Sequence, residues 1–324
     1  MLVVCAHAKT SDLARYEFEQ AHMGTLARIV LYASSREQAE RAARAAFDRV
    51  TRLDAIMSDY AETSELNRLS QVSGRWVRVS EDLFRVLVIS SSIARHTNGA
   101  FDITAGRMVR LWRRARRTGE MPSREAIEEA RSVTGHKKVR LDSRTRSVKL
   151  LCEGMLLDLG GIAKGYAADE ALKVIRREGI RSAMVVLGGD IALSDPPPDE
   201  RGWTITVLSI EPTKDTKEIE VHLLSNCGVS TSGDLEQWVE IGGVRYSHIV
   251  DPKTGVGVTG RMSATVIAGN ATISDALATA ACVLEPERAL SVIDKKGAAC
   301  LILRRSEKGI EWYESKRWRR WNRS

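Results

Sequence analysis

LDLGGIAKGYAADEA, residues 157–171, joins a short apolar run to a helical pattern through an aspartate, two glycines and a lysine. The run MLLDL (155–159) reads as a strand, Gly160-Gly161 as its turn, and the segment that follows as a helix ending at Glu178-Gly179. A helix N-terminus offers unpaired N–H groups and the positive end of a dipole to an anion. Gly161 lets the backbone come close, and Lys164 adds a mobile charge. The ordinary alternative is a glycine-bearing βα turn with a surface lysine. No Walker or Rossmann fingerprint accompanies the stretch.

Working outward, MGTLARIVLYA (23–33) alternates as a strand does. A serine-capped helix follows, with its apolar stripe at Ala39, Ala42, Ala43, Ala46, Phe47, Val50, Leu53 and Met57. SEDLFRVLVISSSIARHT predicts a second capped helix that stops at Asn98-Gly99. Residues 103–134 read as helix broken at 119–122, and KKVRLDSRTRSVKL as a hairpin. AMVVLGGDIAL is a buried strand entering a double-glycine turn. The strands WTITVLSI, KEIEVHLL, NCGVSTSG, VRYSHIV and MSATVIA follow, then helices at 272–283 and 285–295 and a last strand, GAACLILRR. This order predicts an α+β protein, one compact unit of mixed, largely antiparallel sheets packed by helices.

The chain has 324 residues, 43% hydrophobic and 28% charged, enough for a substantial core. No stretch approaches the roughly 18–20 apolar residues of a membrane span, so the body reads as soluble. Of the net charge of +7, residues 304–324 supply +5, with Trp312, Trp318 and Trp321 among the arginines. Six arginines crowd residues 107–117. Such runs are most often solvated faces; the other reading is an anionic partner or membrane surface. No nucleic-acid motif accompanies them. Five well-separated cysteines, Cys5, Cys152, Cys227, Cys282 and Cys300, support neither a disulfide framework nor a zinc site. MLVVC resembles the end of a lipoprotein signal without its basic and apolar regions, so residues 1–19 read as an extension that could be a remnant of one.

Three further clusters carry side chains suited to chemistry. Asp275 and Thr279 are four apart and share a helix face among small apolar neighbours, where a carboxylate needs compensation. A hard cation with oxygen ligands would provide it; an aspartate placed by the helix dipole is the alternative. His248 precedes a DPKTG turn at a strand end, as a candidate general base or as a structural histidine. Ser58-Asp59-Tyr60 ends the first helix, and Gly99-Ala100-Phe101-Asp102 forms a polar turn into another. Tyr60 could stack on a flat ring or simply pack.

In this order, MGT (23–25), SDY (58–60) with SELNRL (64–69), GAFDIT (99–104), LDLGGIAKGYAAD, LGGD, STSGD, HIVDPKTG and DALATA resemble the ApbE family, the FAD:protein FMN transferases, from about residue 20 to 303. The resemblance implies a single ApbE-like, T-fold-like domain over 20–303, with 304–324 as a basic tail. It implies FAD as substrate and Mg2+ held by the side chains of Asp275 and Thr279 and the carbonyl of Gly161. FAD contacts would fall at Met23, Tyr60, Ala100, Phe101, Asp102, Asp158, Lys164 and Ile249, with His248 as the proton acceptor and Lys164 neutralising charge. The acceptor would be a Ser or Thr in a Ser/Thr-Gly-Ala-Thr-like segment, usually of a membrane redox subunit. Family members work mostly outside the cytoplasm behind a signal or lipid anchor; this start shows at most a remnant, which leaves a cytoplasmic location open. LNRLS departs from the usual order of Asn and Ser, and the arginine cluster and WRRWNRS extend beyond the family motifs. FAD hydrolysis to FMN and AMP, and FAD binding without catalysis, are the competing readings.

Overall fold

The computed structural model describes residues 12–207, 210, 219–235 and 237–318. Its centre is an eight-stranded sheet in the order β1 (Ala14–His22), β2 (Thr25–Ala33), β6 (Ala183–Leu187), β7 (Asp190–Leu193), β10 (Cys227–Gly233), β14 (Met262–Ala268), β15 (Ala299–Ser306) and β16 (Gly309–Glu314). Every neighbouring pair is antiparallel. Side-chain alternation sends Ala27, Ile29, Leu31 and Ala33 of β2 into one core and Val30 into another. All seven residues of β14 are buried, as a strand covered on both faces requires.

Helices cover the first face: α1 (Arg36–Met57), α3 (Glu81–His96), α6 (Ala163–Arg177), α7 (Ala271–Val283) and α8 (Pro286–Lys295). The buried residues of α1 are the eight its periodicity predicts, and Ser35 caps it by accepting from Gln38 N–H. The second face packs on the hairpin of β8 (Trp203–Val207) and β9 (Ile219–Leu224), together with Trp318. A short helix α2 (Glu65–Ser70) and a small sheet of β3 (Val77–Arg78), β4 (Val139–Asp142) and β5 (Ser147–Leu150) flank α3. A third core joins α4 (Gly106–Thr118) and α5 (Arg124–Val133) to a sheet of β11 (Trp238–Ile241), β12 (Val244–Val250) and β13 (Gly257–Thr259). There Trp112 is buried, donates Nε1–H to Gly255 O at 2.9 Å and packs on Tyr246.

The helices are tied to one another by charge as well as by packing. Arg49 of α1 forks onto Asp82 of α3 at 2.8 and 2.5 Å and reaches Glu170 of α6 at 2.7 Å; the Tyr166 hydroxyl donates to Asp82 at 2.8 Å. Asp169 of α6 accepts from Ala271 N–H and Thr272 N–H, both at 2.9 Å, and so caps α7. Gly165 lets α6 and α7 meet: a Cβ there would lie 2.2 Å from Ala271 O and 2.8 Å from Asp275 Cβ.

Three expectations change. MLLDL is extended but joins no sheet, because its backbone is paired elsewhere. Gly106 N–H donates to Leu156 O, Asp158 N–H to Ile103 O, and Leu157 N–H to Ser70 Oγ. The boundaries expected at residues 20 and 303 fall inside β1 and β15. The basic tail is largely part of the fold: β16 pairs with β15 through residue 314, Trp318 is buried, and only Trp312 of that pair stands half exposed. Cys5 and Trp321 lie outside the described residues.

Candidate active site at the meeting of two helices

The turn read first as an anion site sits where α6, α7 and the ends of β7 and β10 meet. Lys164, in the first turn of α6, donates to Asp190 Oδ2 at 2.6 Å. Asp190 opens β7 directly after Gly188-Gly189, where φ of +62° at Gly188 favours glycine, and a Cβ on Gly189 would lie 2.7 Å from Thr231 O. On α7, Asp275 Oδ2 accepts from Gly165 N–H at 3.1 Å. Thr279, one turn further, faces Gly161 so closely that a Cβ on that glycine would lie 2.7 Å from Thr279 Oγ1. Ser232 Oγ is 3.4 Å from the same hydroxyl. Gly161, Lys164, Asp275 and Thr279, which only the resemblance grouped, thus lie close together, with Asp190 and Ser232 beside them.

The charges here do not balance. Asp190 and Asp275 are 3% and 2% exposed, and Lys164, paired with Asp190, is the ammonium whose charge reaches both. Burial, and then Asp190, push the Asp275 carboxyl up to about 7 against the pull of Lys164 and the Gly165 N–H. Burial opposes the charge on Lys164, yet Asp190 and Asp275 outweigh it and hold the ammonium protonated. With both carboxylates ionised the cluster is net negative, which favours a bound cation, and carboxylate, hydroxyl and main-chain carbonyl are the oxygen donors that a hard divalent ion takes. Among the described residues no group of three or more His, Cys, Asp or Glu converges, so this site stands on a single carboxylate among its candidate ligands.

His248, near the end of β12, is half-buried. Its N–H and its Nδ1 both face Gln237 O, at 3.0 and 3.1 Å. A carbonyl only accepts, so Nδ1 carries the proton and Nε2 is left basic. Burial pushes this imidazole down to about 4, and Arg116, Lys164 and Arg113 add to the effect while the Gln237 carbonyl opposes it. The imidazole is therefore neutral at pH 7.

A second group surrounds Asp158. Arg113 of α4 reaches Asp158 Oδ2 at 3.0 Å and also bonds Asp59, while its guanidinium carbon stands 4.3 Å from the centre of the Tyr60 ring. Asp158 Oδ1 accepts from Gly160 N–H at 2.7 Å, which shapes the turn into α6. Asp102 is the knot of its loop, accepting from Thr104 N–H and Oγ1 and from His136 N–H. Ala100 and Phe101 are buried beside it. Met23, at φ of +50°, forms the β1–β2 turn, which lies against Gly188 through Thr25. Ile249 is buried next to His248. A surface groove of about 460 Å3 between β1 and α1, lined by Glu17, Glu19, Arg36 and Phe47 among others, holds none of these residues.

Arg113, Arg116 and Asp190 escape the sequence reading as site residues. The arginine run looks like a solvated face, but Arg113 and Arg116 alternate with the buried Met108, Trp112 and Ala115, which places them at the edge of the covered side of α4.

The model of the ApbE family matches residues 23–302. The chain belongs to the ApbE family. It is 33% identical over 264 residues, 78% of this chain and 74% of the relative, to the FAD:protein FMN transferase of Escherichia coli K12. It is 31% identical over 264 residues to the FAD:protein FMN transferase of Vibrio cholerae, covering 80% and 78% of the two chains. The crystal structure of the ApbE protein of Thermotoga maritima superposes with a TM-score of 0.85 at 33% identity, over 96% of this chain and all of that one. Membership in the ApbE family fits the compact α+β architecture and the order of the motifs.

Proposed function

We propose that the chain transfers the FMN half of FAD to a Ser or Thr hydroxyl of an acceptor protein, with Mg2+ at the pyrophosphate and AMP as leaving group. The transferase activity named for its ApbE relatives supports the reaction class. The observation that carries the metal-dependent form is a second buried carboxylate, Asp275, with no ion pair of its own among the described residues, set beside the Lys164–Asp190 pair, Gly161 and Thr279. The Gly161 carbonyl, Asp275 and Thr279 would hold the ion, which when bound would neutralise the pyrophosphate and the charge that develops on it.

The chain's own residues do the rest. Nε2 of neutral His248 takes the proton of the acceptor hydroxyl as its oxygen attacks the FMN-side phosphorus. The new O–P bond forms as the anhydride bond to AMP breaks, and AMP carries off the electron pair. Lys164, fixed by Asp190, presents its charge to the phosphates. Tyr60 and Asp158, with Met23, Ala100, Phe101, Asp102 and Ile249, form the FAD-binding surface in this reading. The acceptor carries a Ser/Thr-Gly-Ala-Thr-like segment, as in a membrane redox subunit; family resemblance favours an extracytoplasmic or membrane-associated working location, with a cytoplasmic one as the alternative.

Substitution separates these roles. Asp275→Ala abolishes Mg2+-stimulated AMP release, whereas His248→Ala lowers kcat by about 100- to 10,000-fold and changes FAD affinity far less. Unchanged Mg2+-dependent turnover in Asp275→Ala would remove the metal assignment.

A further inference from the structure

Tyr60 is 75% exposed, yet its ring is not free to wander. One face is covered by the Arg113 guanidinium, 4.3 Å from its centre. Arg113 is itself held on two sides: one arm bonds Asp59, the neighbour of Tyr60, and the other reaches Asp158 Oδ2 at 3.0 Å, just before α6. The result is a stack fixed to three segments, the end of α1, the middle of α4 and the entry to α6, with the second face of the phenol open to solvent.

We propose that Arg113 is a positioning residue for FAD, holding Tyr60 as a prebuilt platform on which a planar ring of the dinucleotide stacks. Both arms of the guanidinium are taken by carboxylates, so what it offers the ligand is the orientation of Tyr60 rather than a free charge. An exposed tyrosine without such a backing samples several rotamers and loses that freedom on binding; a pinned one has less to lose. Lysine could not replace it, since an ammonium has neither the flat face nor the two-armed fork. The inference rests on the reading that FAD binds at Tyr60 and Asp158, and it adds a residue outside the motifs quoted above.

The test uses the full chain with FAD as probe, in Arg113→Lys, Arg113→Met, Tyr60→Ala and the Arg113→Lys/Tyr60→Ala double variant. FAD affinity is read from quenching of flavin fluorescence, and kcat and KM from AMP release. Arg113→Lys keeps a cation between Asp59 and Asp158, so it preserves the fold even if Arg113→Met does not. The expected result is FAD affinity weakened about 5- to 10-fold in Arg113→Lys, less quenching, and kcat within about twofold of wild type. In the Tyr60→Ala background the lysine change adds little, because the platform is already gone. Wild-type affinity and quenching in Arg113→Lys alongside a defective Tyr60→Ala would overturn the inference alone. An undiminished lysine penalty without Tyr60 would overturn it as well. Wild-type FAD affinity in Tyr60→Ala would overturn the underlying reading and the inference together.

Discussion

Buried on α7 beside Asp190, Asp275 is a carboxylate that the fold alone does not want ionised. Its folded-state pKa stands near 7 against 3.8 for an unperturbed aspartate. Above pH 3.8 the unfolded chain carries this charge freely while the folded chain resists it, so ionisation weakens the metal-free fold as pH rises through 7. Asp275→Asn therefore gains stability at pH 8 with a chelator present, by about 1–3 kcal/mol, and loses activity. Mg2+ stabilises the wild type and leaves Asp275→Asn unmoved, which thermal unfolding reads directly. His248 has the opposite sign: its pKa is depressed to about 4, so the folded state opposes protonation below the ordinary 6.5. The acid limb of the kcat/KM profile should fall near pH 4 to 5, and His248→Gln should remove the part of the acid destabilisation that sets in between pH 6.5 and 4. A limb at pH 6.5 would show that the imidazole is not in the half-buried, cation-lined place described above.

At the scale of elements, the candidate site exists because α6 and α7 come together at Gly165 with no room there for a side chain. A methyl on Gly165 meets backbone atoms of Ala271, which cannot rotate away. Gly165→Ala is expected to cost about 1–3 kcal/mol and to lower kcat, since separating the helices moves Lys164 away from Asp275. A denaturant midpoint unchanged from wild type would show that the crossing is looser than its geometry. The helix periods, their serine caps and the double-glycine turns were legible in the sequence because local chemistry alone specifies them. MLLDL was not, since five apolar-rich residues read alike as a strand or as an extended segment, and long-range pairing with Ile103, Gly106 and Ser70 decides.

Across the whole molecule, the features the sequence conceals are the edges. ARYEFEQAH and GIEWYE close the two sides of the central sheet, and edge strands carry the charge and weak alternation that read as an extension or a tail. Trp318 shows the same effect: set among arginines, it nevertheless packs under the sheet with Trp203 and Leu303. Loss of residues 315–324 would empty that place as well as remove charge. The site itself was legible in proportion to its motifs. Gly161, Lys164, Asp275 and Thr279 stand in motifs that carry a family resemblance only together, whereas Arg113 and Arg116 look like solvent-facing charge until α4 is laid against the end of α1 and the residue before β11. Among the described residues no helix is long and apolar enough to cross a membrane.

The central claim is covalent transfer. The measurement mixes the purified chain with FAD and an acceptor protein bearing a Ser/Thr-Gly-Ala-Thr segment, with Mg2+ or with chelator. Flavin fluorescence is read on the acceptor band of a denaturing gel, and AMP is assayed in parallel. The account predicts a fluorescent acceptor and an equal amount of AMP, both requiring Mg2+ and both lost in Asp275→Ala. AMP and free FMN with an unlabelled acceptor, or labelling that persists in chelator, would contradict it.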